Sequence, residues 1–126
     1  MSVEINLAMV SDAPALSALL VHLFVQEAEF QPDTVAQQRG LTAILNNSNV
    51  GEILVARQNG QIVGMVNLLY TVSTALGARV ALLEDMVIAP SMRGSGLGSQ
   101  LLAAAIEHAK QRGCLRITLL TDADNG

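Results

Sequence analysis

The segment Met92-Arg93-Gly94-Ser95-Gly96-Leu97-Gly98 stands between an apolar run, Val80 to Ile88, and a helix-like run that begins at Ser99. A strand that enters a glycine-rich turn and leaves as a helix presents a row of free backbone N–H groups, and with them a seat for a phosphate-bearing ligand. Two familiar phosphate turns fail here on their specifics. A P-loop needs Lys and then Ser or Thr after its last glycine, and only Ser99 is present. A dinucleotide turn needs Gly-x-Gly-x-x-Gly opening the first βαβ unit, whereas Gly94, Gly96 and Gly98 are spaced by two and follow three antiparallel strands. What remains is Arg93-x-x-Gly96-x-Gly98 at the head of an amphipathic helix.

Outward from that turn, the chain supplies a platform. After it, Leu97, Leu101, Ala104, Ala105 and Ala109 fall on one side of a helix that Gly113 terminates. Leu115 to Leu120 then reads as a strand, and a right-handed crossover makes it parallel to Arg79–Ile88. Before the turn, Glu52 to Arg57 and Gln61 to Val72 are apolar runs joined across Asn59-Gly60, a hairpin signal because both residues tolerate positive φ. With Arg79 to Ile88 they predict a three-stranded antiparallel meander. Upstream, Ser2 to Met9 alternates as a half-buried strand. Ser11-Asp12-Ala13-Pro14 starts a helix with Leu16, Leu19, Leu20, Leu23 and Phe24 on one face. A second helix is expected over Thr34 to Asn46, with Leu41, Ile44 and Leu45 inward. The expectation is one α/β domain over residues 1–126, a mixed sheet in which an antiparallel meander precedes a strand-helix-strand parallel crossover.

Composition narrows the function classes. The chain has 126 residues, 51% hydrophobic and 14% charged, yet no run of the roughly 18 residues of a bilayer span is continuously apolar. The apolar content therefore belongs to buried faces. The N-terminus lacks a basic region followed by an apolar core, and the lone Cys114 forms no internal disulfide, which together point to the cytoplasm. A net charge of −4 with no Trp, two Phe and one Tyr argues against nucleic acid as a partner. One thiol supplies no metal-ligand set, so no metal is expected.

In this setting Arg93-x-x-Gly96-x-Gly98 resembles the signature of the GCN5-related N-acetyltransferase (GNAT) superfamily: Gln or Arg, two residues, Gly, one residue, then Gly or Ala, between a strand and a helix. The resemblance covers nearly the whole chain and implies the acyl-CoA N-acyltransferase-like fold with acetyl-CoA as cosubstrate. It implies that the coenzyme A pyrophosphate rests on the amides of Arg93, Gly94, Ser95, Gly96, Leu97 and Gly98, with Ser99 as a further phosphate contact or a cap. It also implies that Met86, Val87 and Ile88 offer backbone groups to the pantetheine arm and that Asn125 touches the arm from the other side. Family members continue past the last strand with a helix, often carrying a tyrosine that protonates the thiolate, and then a hairpin. The chain is expected to be truncated in that respect, leaving Leu115–Leu120 as an open edge for a homodimer.

The implied reaction is direct attack of a small-molecule primary amine on the acetyl thioester, which requires a base. Glu84 and Asp85 are adjacent acids in an otherwise apolar strand. Alternation sends them to opposite faces, with Glu84 the favoured base and Asp85 its substitute should a bulge swap the two; a solvent-rim carboxylate is the competing reading. His22, Tyr70 and Glu27, Glu29 and Phe30 are weaker candidates for the acceptor pocket, while His108 and Cys114 read as structural. The rival to an enzyme is a coenzyme-A-binding or interaction module that keeps the fold without turnover.

Overall fold

The computed structural model describes residues 3–26 and 34–119. Five strands form one sheet in the order β1-β2-β3-β4-β5: β1 Glu4–Leu7, β2 Gly51–Gln58, β3 Gln61–Ser73, β4 Ala78–Ile88 and β5 Ile117–Leu119. The first four are antiparallel neighbours, and β5 lies parallel to β4 through the register Ala81↔Ile117, Leu82↔Thr118 and Leu83↔Leu119. The expected meander and crossover are therefore present. The β2–β3 hairpin turns on Asn59 and Gly60, at φ 54° and 77°, the positive pair that an Asn-Gly turn supplies.

Three helices cover the two faces. α1 (Ala13–Gln26) and α2 (Thr34–Leu45) lie on one, and α3 (Leu97–Gln111) on the other. Strand alternation divides the apolar residues accordingly. Ile53, Val55, Met65 and Val87 pack with Leu16, Leu19, Leu20 and Leu41 beneath α1 and α2. Leu54, Val66, Leu68, Ala81 and Leu83 pack with Leu101, Ala105, Ala109 and Cys114 beneath α3. Leu16 and Leu101 are fully buried, each worth about 1.5–3 kcal/mol of transfer free energy. The inward side chains expected at Leu23 and Phe24 lie outside the described residues.

Polar contacts fix the helices to the sheet. A short 3-10 turn, Val10–Asp12, precedes α1. The Asp12 carboxylate there accepts the Met9 N–H at 2.7 Å and the Arg57 guanidinium of β2 at 2.6 Å. That arginine contact is the main reason the Asp12 pKa is lowered. On the other face, Glu52 of β2 accepts from Tyr70 of β3 at 2.7 Å and from Arg112 Nε at 3.0 Å, and stands 2.9 Å from His108 Nε2 near the end of α3. Burial opposes ionisation of Glu52, but the hydrogen bonds from His108 and Tyr70 and the charges of His108 and Arg112 outweigh it, and its pKa is lowered. Tyr70 is pushed up by burial and then by Glu52, while Arg79 stacks over its ring at 4.9 Å. Tyr70 and His108 thus anchor α3 to the sheet.

Candidate active site

β4 does not run straight into the glycine turn. Its register against β3 passes from Asn67↔Glu84 to Met65↔Val87, so Asp85 and Met86 oppose the single residue Val66. This is a β-bulge, and Asp85 carries it at φ 54°, a left-handed conformation that Asp adopts more readily than most side chains. The bulge corrects the expectation that alternation separates the two acids. Leu83 faces α3, so Glu84 is turned to the α1/α2 face. The extra residue brings Asp85 to that face too, where Asn67 Nδ2 donates to Asp85 Oδ2 at 2.8 Å. Burial, then the Glu84 charge, raise the Asp85 pKa, and the Asn67 hydrogen bond only partly offsets them.

The bulge lies just past the last described pair of β4 with β5. Pairing with β5 is described as far as Leu83↔Leu119, and β4 runs on for five more residues, Glu84 to Ile88. Ala89 N–H donates to Val63 C=O at 2.8 Å, so by alternation of the ladder Val87 turns its backbone groups toward Met65 on β3. Ile88 and Met86, one step either side, turn theirs away from β3. Of the three residues expected to offer backbone to an acyl arm, Val87 is therefore the exception; its side chain belongs to the α1/α2 core. Asn125 lies outside the described residues.

Beyond Ile88 a 3-10 turn, Pro90–Met92, leads into the glycine segment. Arg93, Gly94, Ser95 and Gly96 are exposed and Leu97 is buried. Not all six amides are free, as the sequence led us to expect. Arg93 N–H reaches Pro90 C=O at 3.4 Å and Ser95 N–H reaches Met92 C=O at 3.3 Å, while Leu97 N–H reaches Ser95 Oγ at 3.4 Å. Among the described residues the N–H groups of Gly94, Gly96, Gly98 and Ser99 meet no carbonyl. The two-residue glycine spacing thus coincides with alternate free donors, at the positive end of the α3 dipole.

Gly94 and Gly96 hold φ of 79° and 85°, with Gly96 forming the helix cap. Gly98 differs: it is helical, and a Cβ built on it would meet Met86 Cε at an unstrained 3.6 Å. Among the described residues nothing crowds a Cβ at position 98. The residues present fit a pyrophosphate: N–H groups that meet no carbonyl among the described residues, a helix N-terminus, and open space over Gly94 and Gly96.

The remaining candidates lie elsewhere. His22 is exposed beside a depression of about 430 Å³ between α1 and the β2–β3 hairpin, with Asp12, Arg57 and Gln61. Cys114 is buried, its thiol pushed up by burial, and precedes β5, which is described from Ile117 instead of Leu115. Glu27, Glu29 and Phe30 lie outside the described residues. Sequence reading missed Asn67, whose signal was a carboxamide inside the apolar run Val63–Leu69.

The described residues thus set a bulged strand with two acids ahead of a glycine turn that opens a helix, in a five-stranded mixed sheet covered by helices on both faces. The chain belongs to the acetyltransferase (GNAT) family, whose model matches residues 17–126, and it is an N-acetyltransferase. It is 34% identical to an uncharacterized N-acetyltransferase of Bacillus subtilis (strain 168), over 97% of this chain and 80% of that protein. It is also 34% identical to the aminoalkylphosphonate N-acetyltransferase of Salmonella typhimurium, over 94% of this chain and 74% of that one. A predicted acetyltransferase with acetyl-CoA from Clostridium acetobutylicum has the same fold, with a TM-score of 0.81 at 19% identity, covering 97% of this chain and 82% of that one.

Proposed function

We propose that the protein transfers the acetyl group of acetyl-CoA to the primary amine of a small molecule by direct attack. The observation that carries this reading is the row of alternate amides at Gly94, Gly96 and Gly98 that meet no carbonyl among the described residues, set just past the end of β4. A pyrophosphate on that row places the acyl arm along Met86 and Ile88, with its thioester near the bulge. The acid pair on the α1/α2 face of β4 then lies beside the acceptor.

Asp85 is the favoured base. A general base works best when its proton affinity approaches that of the group it serves, and burial moves Asp85 in that direction. Glu84 completes an anionic face that draws in an ammonium. In the reaction the ammonium gives one proton to Asp85, the amine nitrogen bonds to the thioester carbonyl carbon, the C–S bond breaks, and the second nitrogen proton passes to the departing sulfur, so that coenzyme A leaves as the thiol. The developing oxyanion falls to an outward amide at Met86 or Ile88, since Val87 is engaged with β3. The acceptor of the Salmonella relative, an aminoalkylphosphonate by its name, makes a small amine with an anionic group the first class to screen.

Calorimetric titration with acetyl-CoA and coenzyme A tests the cofactor site, and thiol release with an amine panel tests turnover. Binding of both ligands and amine-dependent thiol release are expected; absence of binding rejects the reading. For assembly, we place a second copy on the outer edge of β5, which has no strand partner among the described residues and where Leu119 is half exposed. Sedimentation should show a dimer, and a monomer at all concentrations rejects that pairing.

A further inference from the structure

Asn67 sits in the middle of β3, 3% exposed, between the fully buried Val66 and Leu68. A carboxamide brings both donors and an acceptor. Its Nδ2 is used at 2.8 Å on Asp85 Oδ2. Its Oδ1 is buried with no hydrogen-bond partner among the described residues. An orphaned acceptor is costly in a sheet core, and Leu, of similar volume, would carry no such atom. The arrangement makes sense if the partner across the bulge changes its own chemistry.

We propose that Asn67 is a positioning residue that serves Asp85 in both of its protonation states. Nδ2 donates to the carboxylate, and after a half-turn of the carboxamide Oδ1 accepts from the carboxylic acid. Each state leaves one amide atom unused and the switch needs no movement of the backbone, while the charge-assisted bond to the carboxylate is the stronger of the two. The inference rests on the reading of Asp85 as the base. When the amine proton arrives on Asp85, its O–H finds an acceptor already in place, and when the proton departs the donor returns. The bulge, with Asp85 at φ 54°, holds the carboxyl against β3 throughout.

Among the described residues the surroundings leave Asn67 as the polar partner of that carboxyl. Glu84 is the charged neighbour on β4. β3 carries no ionisable residue other than Tyr70, which is bound to Glu52 on the opposite face. α1, packed over this part of β4, carries only His22, beside the β2–β3 hairpin. β5 carries none as described, and the ionisable residues of α3, Glu107, His108 and Lys110, lie near its far end.

The direct test needs no variant. In the wild-type protein the Asn67 side-chain amide resonances and the Asp85 carboxyl carbon are followed by NMR across the acid range. The amide proton hydrogen-bonded at high pH should lose its downfield shift with the same midpoint as the Asp85 carbon. An Asn67 amide that stays constant while Asp85 titrates overturns the proposal. In a second arm, Asn67→Leu removes donor and acceptor at similar volume. The acidic limb of kcat/KM should move to higher pH, lowering the rate on the wild-type limb about tenfold with little loss on the plateau. Acetyl-CoA affinity should be unchanged, and an unmoved limb again overturns the proposal. If Asp85→Asn retains the wild-type rate, the assignment of the base falls, and the NMR titration still decides the Asn67–Asp85 partnership.

Discussion

Asp85 places function and stability in opposition at a single side chain. Its pKa is raised above the ordinary 3.8 by burial and by Glu84, so the folded state binds this proton more tightly than the unfolded chain. Stability due to Asp85 is therefore greatest below the unfolded value and falls as pH rises from there through the folded value. Asp85→Asn, which keeps an acceptor for Asn67, should melt above the wild type at neutral pH and converge with it below about pH 3.8, while its acetyl transfer drops about 10²–10⁴-fold. Calorimetric melts at the two pH values, with rates measured at neutral pH, check both halves. Gly98 offers a second residue-scale test with opposed signs. Gly98→Ala adds a methyl that meets only Met86 and Ile88 at 3.6 Å or more. It should stabilise the helix by about 0.5–1 kcal/mol and weaken acetyl-CoA binding by tenfold or more. Unchanged affinity would sink the reading of a pyrophosphate held against Gly98.

At the scale of elements, α3 is held at both ends for different purposes. Its N-terminus is left open at Gly94–Ser99. Near its C-terminus, His108 and Arg112 grip Glu52, whose side chain is 11% exposed. Glu52→Gln removes the charge from three contacts and should cost about 1–3 kcal/mol in urea unfolding. Because the Glu52 pKa is lowered in the folded state, its contribution is present above the unfolded value of 4.5 and lost as pH falls below it. The wild type should therefore lose more stability than Glu52→Gln between neutral pH and pH 4. An equal loss in the two proteins would show that the cluster does not act as an ionic anchor. Since the cluster stands at the other end of α3 from the glycine turn, acetyl-CoA affinity should change little.

At the scale of the whole molecule, ligand and fold are linked through one continuous path from β4 to α3. Acetyl-CoA at about a hundred times its Kd should stabilise the folded chain by about 2.7 kcal/mol, read as a rise in Tm that Gly98→Ala diminishes. No helix among the described residues is long and apolar enough to cross a membrane. The sequence by itself determined the order of elements, the hairpin at Asn59-Gly60, the two apolar faces and the glycine turn ahead of α3, because each is written in local periodicity, turn residues or spacing. It also marked Glu84 and Asp85 as the acids to watch. It did not determine which face they take, because one inserted residue in β4 reverses the alternation and its register is set by pairing with β3. Nor did it reveal that Val87 is engaged with Met65, that only alternate amides of the turn are free, or that Asn67 meets Asp85. These depend on residues distant in sequence being brought within hydrogen-bonding reach, and only the packed sheet decides that.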